Sequence, residues 1–120
     1  DVHSIIIATH TQPAPELFQP LFPKAEWRAY YCNHAMQPIL TSAAKIKAWV
    51  YGHNHHGGVA KQGDILMISN PRGRPTDFNR RDYRAVTLAV TAAAAHLNGA
   101  PTMPPAAEWG RKLRQPQINP

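Results

Sequence analysis

The sequence predicts an α/β fold built on a mixed β-sheet, and three observations carry that expectation. Two short runs rich in β-branched and aromatic residues, "HSIIIATH" and "KAWVYG", read as strands. Between them an i, i+3, i+4, i+7 apolar pattern reads as a helix, and a helical crossover makes the two strands parallel. After them "GVAKQGDILMISN" reads as a hairpin, which brings an antiparallel member into the same sheet.

In "HSIIIATH" three consecutive isoleucines, stiff at χ1, predict a short buried strand. The stretch "TQPAPELFQPLFP" holds Pro13, Pro15, Pro20 and Pro23, which forbid a long helix and leave one turn at most around residues 16–18. From 36 to 47, Met36, Ile39, Leu40 and Ala43 fall on one helical face, with Pro38 suited to the first turn. "KAWVYG" is the second strand. In the hairpin that follows, Gly63 can take the positive φ of a tight turn. "PRGRP" is a turn by composition, and "YRAVTLAV" alternates as a further strand. "TAAAAHLNGA" reads as a helical turn or two. The last stretch, with five of the twelve prolines, reads as an extended basic tail over 92–120, leaving 1–91 as the folded part.

A chain of 120 residues with 43% hydrophobic content is bounded to one ordinary domain with a core. No apolar run approaches the length of a membrane span, and the start lacks the basic region of a signal peptide. A single cysteine, Cys32, excludes an internal disulfide and points to a reducing, cytoplasmic setting. The net charge of +6 is uneven, with Arg72, Arg74, Arg80, Arg81 and Arg84 crowded into thirteen positions. Such a field steers phosphate-bearing partners, although a solvated basic face is the plainer reading of any one arginine.

The residues that carry chemistry are histidines. His10 follows the isoleucine run, and His53, Asn54, His55 and His56 follow "WVYG". In open α/β sheets ligands gather beyond the carboxyl ends of the strands, so parallel strands would bring His10 and His53 to one edge. If the loop is extended, His53 and His55 face the same way and His56 the opposite way, exposed or supporting a ligand from outside but not itself a ligand, with Gly52 making the sharp bend. Neutral imidazoles suit a divalent transition metal. His34 and His96 have no partner pattern. Asp1 and His3 spell Asp-x-His, but before a strand instead of after one, and are set aside.

Taken in order, "IIIATHTQP", "KAWVYGHNH" and "GDILMISNPRG" resemble the C-terminal half of the calcineurin-like metallophosphoesterases. The resemblance spans residues 4–90. It implies a partial α/β/β/α sandwich and a binuclear centre of two divalent ions (Mn, Fe, Zn, Co or Ni). His10 and His53 would hold one ion and His55 the other, with Asn54, Asn70, Pro71, Arg72 and Gly73 on the substrate side. A guanidinium at position 72 could meet phosphate oxygens in bidentate fashion. The sequence departs from the pattern in "THTQP", where relatives often carry a second histidine, and in "NPRGRP", where many carry a tyrosine after the glycine. The first-half motifs of the family (Asp-x-His after a strand, a bridging Gly-Asp, and Gly-Asn-His) are not found here.

The expected function is therefore phosphoester hydrolysis by a complete protein, with this chain contributing histidine ligands, no catalytic residue of its own, and no activity alone. Its partners would be a phosphate ester and the missing N-terminal segment. Two alternatives remain open: a non-catalytic histidine-rich metal-binding module, and a basic fragment whose partner is nucleic acid. The second of these has only Phe78 and Tyr83 as stacking candidates near the arginines.

Overall fold

The computed structural model describes residues 1–13, 31–53 and 55–102. Its centre is a four-stranded sheet of β1 (Ile5–Ala8), β2 (Ile46–Tyr51), β3 (Gly58–Gln62) and β4 (Ile65–Ser69), in the order β1-β2-β4-β3. β1 and β2 run parallel, as do β2 and β4, while β3 and β4 form the antiparallel hairpin. The sheet is mixed, as expected from the crossover and the hairpin. Gly63 turns the hairpin with φ +59°, a region that costs an L side chain on the order of 1–2 kcal/mol.

One row of the sheet carries the core. Ile7, Trp49 and Met67 are register partners across β1, β2 and β4, and Ala60 stands opposite Met67. Trp49 and Met67 are fully buried and pack with Cys32, Leu40, Ile46, Tyr51 and Ile65. Part of the cover is a 3-10 helix over His34–Thr41, started by Asn33, whose Oδ1 accepts the Ala35 amide at 3.1 Å. This helix corrects the expected span of 36–47. It starts earlier, so Pro38 lies inside it, where the missing N–H breaks an α-helical ladder. It also ends earlier, because Thr41 and Ser42 hydroxyls return to the carbonyls of Pro38 and Ile39 and Ile46 enters β2. Met36, Leu40 and Ala43 pack on the core as expected, whereas Ile39 is exposed.

A short helix α1 (Phe78–Asp82) precedes a second, two-stranded antiparallel sheet of β5 (Thr87–Val90) and β6 (Ala95–Asn98). β6 corrects the helical reading of the alanine run: Leu97 faces its register partner Leu88, and the alternate burial of Ala95 to Asn98 is that of a strand. Leu88 and Leu97 lie over the opposite face of the large sheet, where they line a cleft of about 240 Å³ with Val50 and Ile68. β1 is an edge strand, and Ile6 is half exposed there, so the isoleucine run is buried on one side only. Among the described residues no helix is long and apolar enough to cross a membrane. Residues 103–120 of the expected tail lie outside the described residues.

Candidate functional site

The parallel pairing of β1 and β2 continues past the strands and delivers two histidines to one place. Thr9 donates its amide to Val50 O at 2.9 Å. The carbonyl of His10 then accepts two amides from the second loop, Gly52 at 3.2 Å and His53 at 2.9 Å. With the backbones locked this way, the rings of His10 and His53 meet at a centroid separation of 4.4 Å, inclined by 45°. The first two of the three sequence segments quoted for the resemblance are therefore brought together at the carboxyl ends of neighbouring parallel strands.

Buried groups shape both loops from below. Trp49 donates its indole N–H to Thr9 Oγ1 at 2.9 Å, and that hydroxyl donates to Thr11 O at 2.7 Å, which bends the chain at His10. Gln12 and Cys32 form a parallel bridge, flanked by the Gln12 amide on Tyr31 O and the Asn33 amide on Gln12 O. This bridge sets Tyr31 against His53, ring centroids 4.9 Å apart. His53 thus has both Tyr31 and His10 against its ring and is buried, while His10 is exposed.

Burial first, and then the charges of His10, His55 and Arg74, hold the His53 imidazole below its ordinary value of 6.5. A neutral ring keeps the lone pair that a metal ion requires.

The extended-loop expectation for the next residues is corrected. His55 donates its amide to Gly52 O at 3.1 Å, closing a turn, and its own φ is +59°. The bend is therefore a turn running from Gly52 to His55, with the positive φ at His55 and not at Gly52. The alternation of faces fails with it. His55 turns to Asp77, whose Oδ2 lies 2.8 Å from Nδ1, and His56 is buried with its carbonyl bound by Ser69 Oγ at 2.7 Å. Histidine is one of the few non-glycine residues found with some frequency in this left-handed region.

The substrate-side candidates disperse. Asn54 lies outside the described residues. Asn70 lines the cleft between the sheets, and its amide nitrogen donates to Arg84 O at 2.9 Å. Arg72 is exposed, and it is Arg74 whose charge reaches His53. Three residues not foreseen from sequence thus belong to the site: Tyr31, Arg74 and Asp77. Arg74 was visible only as one of the arginine cluster, and nothing in the spacing of Tyr31 or Asp77 marked either.

Among the described residues no group of three or more histidines, cysteines or carboxylates is placed to hold a metal ion. The donor set is a close pair of imidazoles with a third tied to a carboxylate. Among the described residues it does not complete a metal centre. Comparison with protein-family models, with curated proteins and with solved structures returns no match.

Proposed function

We propose that this chain is the C-terminal portion of a calcineurin-like metallophosphoesterase, a metal-dependent phosphoester hydrolase when complete, with His10 and His53 as its metal-facing pair. One observation carries the reading. Two imidazoles from strand ends 43 positions apart in sequence (53 − 10) are held 4.4 Å apart by paired backbones, one of them biased toward its neutral form. The four-stranded mixed sheet with a second antiparallel sheet against it accords with part of the α/β/β/α sandwich that the reading entails.

On this reading His10 and His53 would hold one divalent ion (Mn, Fe, Zn, Co or Ni) and His55 would serve the other. Bound ions of this kind polarise a phosphoryl oxygen and acidify a water molecule. The residues of this chain do not reach that state alone. Two divalent ions side by side repel one another, and neutral imidazoles bring no anionic charge to offset the repulsion. The isolated chain is expected to take up one ion weakly and to hydrolyse nothing.

Calorimetric titration with Zn²⁺, Mn²⁺ and Co²⁺ tests the pair. The expected outcome is one ion per chain, weakened at least tenfold by His10→Ala and by His53→Ala and unaffected by His34→Ala. Equal binding by all three variants, or none by the wild type, would remove the assignment. A second reading, a non-catalytic metal-binding module, is favoured by the lack of a third donor beside the pair among the described residues. Phosphodiester hydrolysis by any longer polypeptide containing this chain separates the two.

A further inference from the structure

We propose that Asp77 is a positioning residue: it fixes the His55 ring with its proton on Nδ1 and leaves Nε2 as the atom open to a ligand. The proposal rests on the metal reading only for what Nε2 meets.

Two contacts converge on one oxygen. Asp77 Oδ2 lies 2.8 Å from His55 Nδ1 and accepts the Arg74 amide at 2.8 Å. An ionised carboxylate accepts and never donates, so the imidazole nitrogen facing it must carry the proton. The lone pair of the neutral ring is then on Nε2. Metal-bound histidines commonly have this arrangement, with the second ring nitrogen donating to a carboxylate that sets tautomer and orientation.

The carboxylate is diverted from the role its position favours. Asp77 is the residue before α1, with extended backbone at φ −75° and ψ 147°, where an aspartate side chain ordinarily accepts an amide of its own helix. It makes no such bond. It ties the arginine-bearing turn to the histidine loop instead, with its side chain 11% exposed against 23% for His55.

The backbone of His55 is strained, and strained residues persist where their surroundings over-determine them. Here the His55 amide is held by Gly52, the next carbonyl by Ser69, and the ring by Asp77. Two contacts on His55 itself and a third on its neighbour His56 hold the loop in a conformation that an unconstrained chain would avoid. That is the pattern of a side chain whose direction matters.

The test uses the full chain, with Asp77→Ala and Asp77→Asn. Long-range ¹⁵N–¹H spectra of the metal-free protein, recorded where imidazoles are neutral, read the His55 tautomer directly. The wild type is expected to show Nδ1–H alone, D77A a mixture of tautomers, and D77N, whose side-chain oxygen still accepts, a result close to wild type. A mixed tautomer in the wild type overturns the proposal, and that spectrum decides the matter even should D77A not fold. A folded D77A that keeps Nδ1–H alone also overturns it, while leaving the metal reading, which is tested at His10 and His53, standing. A single tautomer released by D77A, in a chain that binds no Zn²⁺, supports the positioning role and overturns the metal reading.

Discussion

Replacing Gly57 with alanine adds one methyl group where residues 101–102 cross the histidine loop. An ideal Cβ there would stand 2.3 Å from the Thr102 carbonyl oxygen, 2.9 Å from its carbon and 3.1 Å from Pro101 Cβ. Relaxed carbon–oxygen contacts begin near about 3.3 Å, so the closest must open by roughly 1 Å. Two of the three atoms are backbone and cannot rotate aside, which leaves lifting the segment as the way out. Lifting exposes Pro101, which is buried, and breaks the Thr102 Oγ1 bond to Asp82 O at 3.2 Å. Overpacking of this kind costs about 1–3 kcal/mol, and the exposed hydrogen bond contributes about 0.5 kcal/mol within that range. Urea unfolding followed by circular dichroism should show a midpoint lower by on the order of 1 M at unchanged slope. Thr102→Ala, which removes the bond without the clash, should shift it far less. A Gly57→Ala protein within about 0.5 kcal/mol of wild type would refute the reasoning, since the segment would then not rest on Gly57 at all.

Trp49→Phe removes the donor to Thr9 Oγ1 from a fully buried site, and a loss of about 2 kcal/mol is expected, half from the bond and half from the space left. The same change in a Thr9→Val background should cost measurably less in urea titration, because the two groups share one interaction. Gly63→Ala should cost about 1–2 kcal/mol from φ alone, since open space surrounds the added methyl. Gly63→Asn should recover part of that loss in the same melt. For pH the sign follows from His53, whose folded value lies below its ordinary 6.5. As pH falls through 6.5 the unfolded chain takes up the proton first, so stability is full above that value and declines toward the lower folded one. His53→Gln should flatten this decline in thermal melts between pH 7 and 5, and an unchanged slope would contradict the burial of the ring.

The strands that build the site were legible because their chemistry is local. Three isoleucines, an aromatic run and a glycine at the turn each state their structure without reference to the rest of the chain. Parallel pairing followed from the need for a crossover, and with it the meeting of His10 and His53. What failed were inferences that ignored tertiary context. Alanine-rich 92–95 favours helix by propensity, yet 92–94 form the bend between the strands and Ala95 enters β6, where Leu97 pairs with Leu88. The helix expected to reach residue 47 lost its end to a ladder already claimed by Ile46. The facing of His55 was derived from extended geometry, and a single positive φ redirected it. Asp77 lies 22 positions from His55, and no periodicity announces a contact of that kind. Its partner Arg74 stood in plain view among five arginines with nothing to single it out.

The order in which the histidines come together follows from where β1 finds its neighbour. Residues 53 to 56 are close in any conformation, folded or not, so an ion could meet them as soon as the chain exists. His10 joins only when Ile5–Ala8 docks beside Ile46–Val50 across some forty residues, a closure that is entropically slow. Under the metal reading proposed above, an ion present during refolding would meet the local cluster first and be tightened by His10 afterwards. Its spectroscopic signal would develop in two phases, the later one timing the arrival of the edge strand.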